Sequence, residues 1–483
     1  MFRSLVSNKN AVKYFFPVSM MVTLSWLPGL NGVAQNAPLS AKPNILLIFA
    51  DDLGYMDCGF NGSKIMKTPH IDALSKNGMV FNNAYAGAGN CAPSRATMIS
   101  GKYTPRHGVY AVGSTTRGPV AQMRLVPVRN TTSLNPSFYT IAEALREQGY
   151  ATAIFGKWHL GESQDTKPEA QGFDEYVESQ KRNIEDDPKG MFSLTNAAIQ
   201  FMAKQKGKPF FAYLSHHAIH SKLEARAESV ALFSKQGLNE KQALYAACTY
   251  DFDSSVGILL DFLKASGLDK NTLVIFTSDN GATQQSPQEP LRGNKGSYYE
   301  GGIREPFIAY WPGQIKNGTV NSTPIINLDL YPTFMALAGN GQYKSDGENL
   351  LPLMLGQKNT TIRKSIYWYF PGYLDNPVIR GRDKVFRSRP VAVIRKGDFK
   401  LHLYLEEWLL DGGKARLHNN KAIELYNIRT DEGEHTDLSH SHVAQRNELL
   451  NELLQWMNNT GAPLPTRIST SNKPVAGNVA GEN

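Results

Sequence analysis

The chain has 483 residues, 41% of them hydrophobic, with a mean hydropathy of −0.35. Those values exclude a disordered chain, a coiled coil and a multi-span membrane protein, and suit one large domain with a smaller one. Charged residues make up 19% without a long like-charge block, so no nucleic-acid partner is expected. Three of the eight excess positive charges, Arg3, Lys9 and Lys13, lie in the first 35 residues, which leaves +5 for the remainder. That balance weakly favours an anionic partner.

Lys9 and Lys13 precede an apolar run from Tyr14 to Leu24, followed by Pro28, Gly29, Gly32 and the small-residue region Val33-Ala34-Gln35. This order predicts a cleaved signal peptide over 1–35 and an exported protein, periplasmic or secreted, with no membrane attachment after cleavage. The cysteines are three, Cys58, Cys91 and Cys248. They form no disulfide framework, and an odd thiol in an exported chain calls for an explanation.

From Lys42 onward short apolar runs alternate with helical stretches. Asn44–Ala50, Ala151–Phe155, Phe210–Leu214 and Leu273–Thr277 read as strands buried on both faces. Ile141–Gln148, Leu194–Lys206 and Tyr245–Ala265 read as helices between them. The alternation predicts an α/β fold with a large, mostly parallel sheet flanked by helices. Beyond about 362 the aromatic and basic runs Ile366–Phe370, Val391–Ile394 and Lys400–Leu405 precede an amphipathic stretch, Val443–Asn458. We read 36–362 as a catalytic domain, 363–465 as a smaller α+β subdomain with an antiparallel sheet, and 466–483 as a flexible tail.

Several strands end in polar clusters, and ligands gather at the carboxyl ends of strands in such sheets. The first strand ends in Asp51-Asp52, and Leu273–Thr277 is followed by Asp279-Asn280. Either pair alone is an ordinary turn. Together they are a hard oxygen set suited to Ca²⁺ or Mg²⁺. Cys91-Ala92-Pro93-Ser94-Arg95 opens a helix-like stretch. The helix dipole and Arg95 would both favour an anion at Cys91, which reads as an activated thiol or nucleophile or, more blandly, as a buried free cysteine. Lys157 and His159 stand two apart after the second strand and would share a face in extended chain. His216, His217 and His220 follow the third strand and raise a zinc site as a rival. The glycine-rich stretch Arg292–Gly296 presents Lys295.

The combination resembles the type I sulfatases, the arylsulfatase-like branch of the alkaline phosphatase superfamily, from about Pro43 to Leu438. Cys91-Ala92-Pro93-Ser94-Arg95, continued to Gly101, matches the family's Cys-x-Pro-Ser-Arg signature. Gly149–Thr152 and Gly156-Lys157-Trp158-His159 match the second signature, and Thr68–Asp72 and Glu424–Asn427 look like further landmarks. The resemblance implies an alkaline phosphatase-like fold. It also implies that a maturing enzyme, formylglycine-generating or anaerobic, converts Cys91 to formylglycine, which accounts for the odd thiol. One hydroxyl of the hydrated aldehyde would attack sulfur, and the other would help expel sulfate.

By the same resemblance Asp51, Asp52, Asp279, Asn280 and the modified Cys91 would hold Ca²⁺, or Mg²⁺ in its place. Arg95 would orient the diol, and Lys157 and Lys295 would neutralise sulfate oxygens. His220 would protonate the departing alcohol and His159 would take the proton of the second hydroxyl. His217 is left between shaping the pocket and touching substrate. Where the family often shows a proline soon after this histidine, Ser221-Lys222-Leu223 follows here. The expected substrate is a sulfated carbohydrate, either an algal galactan such as carrageenan or a glycosaminoglycan. The aromatic run Tyr367–Tyr373 and Arg380, Arg382, Arg387 and Arg389 are equally readable as sugar contacts or as core and solvated loop. Rival readings are a phosphoryl or phosphonate ester hydrolase, a non-catalytic binder of sulfated glycans and a zinc hydrolase on the histidine trio.

Overall fold

The computed structural model describes residues 42–178, 185–205, 207–341 and 344–477. The predicted leader lies outside them, as does Lys206 at the end of one predicted helix. Among the described residues the principal sheet has eight strands: β1 (Asn44–Ala50), β2 (Met79–Phe81), β3 (Ala151–Gly156), β4 (Glu175–Val177), β5 (Phe210–Ser215), β6 (Thr272–Ser278), β7 (Ile308–Tyr310) and β8 (Thr319–Asn321). Their order is β8-β2-β7-β6-β1-β5-β3-β4, and β7 alone runs against the rest. Every residue of β1, β3, β5 and β6 is buried. This is why those strands are near-continuous apolar runs rather than alternating ones.

Helices cover both faces. The ones that bear on the site are α1 (Pro69–Asn77), α2 (Cys91–Ser100), α3 (Ile141–Glu147), α4 (Met191–Lys204) and α5 (Glu240–Ser266). One core layer packs α2 and α3 against β1 through Ile45, Leu47, Phe49, Ile99 and Leu145. The other packs α1, α4 and α5 against the opposite face through Leu46, Ile48, Ile71, Leu194 and Phe252. Successive residues of β1 thus feed opposite layers, as the pleat requires.

The predicted antiparallel sheet is present as β9 (Ser365–Phe370), β10 (Val391–Lys396), β11 (Phe399–Tyr404) and β12 (Ile423–Asn427), in that order. The last amphipathic stretch is α6 (Val443–Thr460), whose Leu449, Leu450 and Leu453 join the sheet's core. The same core takes Tyr85, Tyr103, Tyr298 and Leu328 from before residue 362, and the described residues belong to one compact unit. The segment predicted as a loose tail begins instead with a short strand, Thr466–Arg467, paired antiparallel with Leu125–Val126. Further along, the Gly477 N–H donates to the Thr116 carbonyl at 3.1 Å.

Candidate active site

Register brings the site together. Ala50 lies opposite Ser278, Phe49 opposite Ser215, and Ser215 opposite Gly156. The four central strands β6, β1, β5 and β3 therefore end level. The residues that follow them, Asp279-Asn280, Asp51-Asp52, His216–His220 and Lys157–His159, meet at one edge. Cys91 reaches that edge as the first residue of α2. Ala, Met and Ile fill this helix, Pro93 sits in its first turn where no N–H is needed, and Gly101 ends it at φ 65°. All ten residues of α2 are buried, so the helix delivers its N-terminal partial positive charge into a dry centre.

Asp51, Asp52, Cys91 and Asp279 are buried, and their ligand atoms all lie within 4.8 Å of one another. The Cys91 thiol donates to Asp51 Oδ1 at 3.4 Å and to Asp52 Oδ1 at 3.8 Å. Lys157 Nζ donates to Asp51 Oδ2 at 2.6 Å, and Lys295 Nζ to Asp52 Oδ2 at 2.9 Å. Arg95 holds Asp279 Oδ2 through Nε at 3.0 Å and Nη2 at 2.7 Å. Its Nη1 donates to Ser215 Oγ at 2.5 Å and to the Lys157 carbonyl at 3.1 Å. The guanidinium expected to orient the nucleophile is thus committed to Asp279 and to the ends of β3 and β5. Asn280 Nδ2 donates to Asp52 Oδ1 at 2.7 Å, while Asn280 Oδ1 is buried without a protein partner.

Burial works against every charge here, and partners decide the outcome. It raises Asp51 and Asp52, but the lysines, with His220 and, at Asp51, Arg95, outweigh it and hold both below the usual carboxylate range. Asp279 goes the other way, up to about 6, because burial and Asp51 outweigh Arg95. Burial and Asp279 push the Cys91 thiol well above its ordinary value. An unmodified Cys91 is therefore a protonated thiol, not the activated thiolate its helix position alone suggests.

A divalent cation fits this centre. The donors are hard oxygens, and a buried Asn280 Oδ1 without a partner is costly unless something accepts its lone pairs. Three carboxylates stand against Arg95, Lys157 and Lys295, so the unmetallated centre is near neutral. A divalent ion would leave it with excess positive charge for an anionic ester.

His159 sits at φ 66° with Nδ1 buried and unpartnered. Burial and Lys157 keep it neutral, its value held far below the ordinary imidazole range. His220 Nε2 faces Asp52 Oδ2 at 3.9 Å, and its Nδ1 lies 2.8 Å from the Ser221 carbonyl. That contact assigns the Nδ1 proton and leaves Nε2 toward the cluster. His217 is pushed down to about 3, chiefly by burial, with Asp51 nearby. His216 belongs elsewhere: fully buried, it meets the Phe252 ring edge-on at 5.1 Å. Among the described residues no metal-compatible group includes these histidines, so the zinc alternative has no geometry behind it.

The aromatic and basic segment resolves toward structure. Trp368, Tyr369, Phe370 and Tyr373 are core residues. Arg382 pairs with Glu407 at 2.8 Å and stacks 3.7 Å above the Tyr404 ring. Arg389 pairs with Asp383 and Glu406. Arg380 donates to the Pro290 and Leu291 carbonyls, and Arg387 Nη1 donates to the Lys295 carbonyl at 3.3 Å.

The family follows from comparison with known proteins. Residues 43–340 match the sulfatase family model, and residues 294–460 match the C-terminal model of N-sulphoglucosamine sulphohydrolase. The chain belongs to the sulfatase family. It is a sulfuric ester hydrolase with an alkaline phosphatase-like fold. A sulfatase of Formosa agariphila is 30% identical, over 87% of this chain and 90% of that one. Mouse N-acetylgalactosamine-6-sulfatase is 31% identical, over 78% of this chain and 75% of its own length. The crystal structure of Ps i-CgsB in complex with k-i-k-neocarrahexaose has a TM-score of 0.71 at 30% identity, over 89% of this sulfatase and 96% of that chain. The two matches overlap over residues 294–340, which include Lys295.

Proposed function

We propose that this sulfatase is an exported carbohydrate sulfatase that uses a formylglycine derived from Cys91 and one Ca²⁺ ion to remove sulfate from a galactan or glycosaminoglycan. The observation that carries it is Cys91 at the buried start of α2, among three carboxylates and two lysines. The substrate class draws support from the carrageenan-type ligand of one structural neighbour and the amino-sugar sulfatase name of the mammalian relatives. Export rests on the leader pattern of residues 1–35.

Matured Cys91 supplies an attacking hydroxyl and a second one for sulfate release, and the ion, held by Asp51, Asp52, Asp279, Asn280 and residue 91, supplies Lewis acidity. The rest is done by this chain's side chains. Lys157 and Lys295 stand beside the nucleophile as fixed ammonium groups and stabilise charge that gathers on the sulfate oxygens in the transition state. Arg95 keeps Asp279 and the Lys157 backbone in place. His220, with its Nδ1–H on the Ser221 carbonyl, passes a proton from Nε2 to the departing sugar oxygen as the imidazolium and is left as the neutral Nδ1–H ring. His159, held neutral, has a lone pair free to accept the proton of the second hydroxyl. Burial of the cluster excludes water and strengthens each of these interactions.

Cys91→Ala tests the reading. Sulfate release from a panel of sulfated oligosaccharides should fall by at least about 10³-fold, as for loss of a nucleophile. Mass spectrometry of the Cys91 peptide, after expression with a maturing enzyme, should show the thiol replaced by an aldehyde. Undiminished release by the alanine variant would end the proposal.

A further inference from the structure

Beside the turn that carries Lys295 lies a cavity of about 220 Å³ that the chemistry above leaves unused. Gln242, Gln284, Gln285, Glu289, Asn294 and Arg380 form its polar wall. The chain ties its walls to the catalytic centre. Asn294 immediately precedes Lys295, and the Lys295 N–H donates to the Ala282 carbonyl at 2.8 Å. Gln284 follows the ion-binding Asn280 by four residues, a span of at most about 14 Å. Behind the wall, the cavity residues Ser286 and Gln288 hydrogen-bond to buried Asp57 on the loop that leaves Asp52.

Its chemistry is that of a carbohydrate subsite rather than a second anion site. The single formal cation, Arg380, is occupied with the Pro290 and Leu291 carbonyls and is opposed by the acidic Glu289 on the same wall. The remaining polar groups are carboxamides and the Ser286 hydroxyl, which both donate and accept, as sugar hydroxyls do. Gln242, Gln285 and Glu289 make no side-chain hydrogen bond to a described residue, and Gln284 uses only Nε2, on the Pro377 carbonyl at 2.9 Å. Ile379, 55% exposed on the cavity wall, adds an apolar surface for the C–H face of a ring. The volume is below the usual range for larger ligands and suits one monosaccharide.

We infer that this cavity binds an uncharged sugar ring of the substrate chain, adjacent to the ring whose sulfate is removed. The inference deepens the proposed function and rests on it. It makes the sulfatase selective for chains over single sulfated sugars, with Gln242 and Gln285 as specificity-determining residues. The test compares kcat/KM for sulfate release from neocarrahexaose and from a keratan sulfate hexasaccharide with unsulfated galactose rings with that from the matching sulfated monosaccharides. 4-Nitrocatechol sulfate serves as a substrate with no second ring. The wild type should prefer at least one hexasaccharide over its monosaccharide by tenfold or more. In Gln242→Ala/Gln285→Ala that ratio should fall at least fivefold, mostly through KM. Gln285→Ala, at an exposed position, should show part of the same loss and guards against a folding defect.

No chain-length preference in the wild type, or an unaltered ratio in both variants, overturns the subsite while leaving the sulfatase reading intact. Failure to release sulfate from any of the three substrate types overturns the reading instead. The subsite is then decided by calorimetry of the hexasaccharides. Weaker binding to the double variant upholds it, and equal or absent binding overturns it.

Discussion

Ser215 shows how much of the centre is set by residues that carry no chemistry of their own. It ends β5, receives Arg95 Nη1 and donates to the Lys157 carbonyl at 2.7 Å. Nothing in a single serine after Leu214 distinguishes it from any other strand end, so sequence reasoning passes it by. Arg95, by contrast, is legible from its motif, but its partner is not. With the ion pair to Asp279 wholly buried, Arg95→Met should cost about 3–5 kcal/mol in urea denaturation, because a buried carboxylate loses its counter-charge. A loss under about 1 kcal/mol would show that Asp279 is neutralised some other way.

Asp253 offers a pH test away from the centre. It accepts the Ile71 N–H at 2.8 Å and that of His70 at 3.1 Å, so a side chain of α5 caps the start of α1. Burial nevertheless lifts it to about 7, above an unfolded value of about 3.9. The folded state then binds the proton more tightly. Its contribution is full below about pH 4 and is lost as pH rises through about 7. Relative to Asp253→Asn, the wild type should lose at least about 1 kcal/mol of stability across that window, with no further change above it. Parallel pH profiles of wild type and variant would refute this.

At the scale of elements, strand ends rather than strands do the positioning. Gly156 closes β3 at φ 103°, and a Cβ there would stand 2.0 Å from the Ser215 carbonyl oxygen. That close approach lets the chain turn so that the Lys157 N–H reaches the same oxygen at 2.7 Å. Gly156→Ala should cost at least about 2 kcal/mol, from left-handed backbone strain and backbone displacement together. It should also lower activity by moving Lys157, as read by thermal melting and sulfate release on one preparation. Gly281 has the same role opposite, its missing Cβ making room for the Gly301 carbonyl. The strands themselves were plain in the sequence, since β1 spans the apolar run residue for residue. Helix ends were less so. The long α5 begins at Glu240 behind an Asn239 cap whose side chain accepts from Gln242, in a polar stretch that hydrophobic periodicity does not reach.

The whole molecule joins two sheets through charge as well as apolar contact. Lys400 of β11 is fully buried between Glu300 at 2.9 Å and Glu434 at 3.1 Å. Glu434 also meets His402 at 3.2 Å. Burial raises Glu434 to about 7, whereas Lys400 and Arg304 bring Glu300 down to about 2 against the same effect. This cluster ties the segment after Lys295 to the C-terminal sheet, and no spacing rule connects residues so far apart in the chain. Ion binding should be felt by the same assembly. Calcium at a hundred times its dissociation constant contributes about 2.7 kcal/mol to the folded state. Chelation should therefore lower both Tm and sulfate release, and added Ca²⁺ should restore them. Melting that is indifferent to chelator would dismiss the ligand assignment.

The sequence by itself determined the α/β alternation, the buried strands and the residue types at their ends, because apolar runs and short motifs are local properties of a chain. Only the tertiary structure decided that four strand ends lie level, that Arg95 serves Asp279, that His216 stands apart from His217 and His220, and that the aromatic run is core. Those facts depend on register and packing between segments up to some 280 residues apart, and such distances are written in no local pattern.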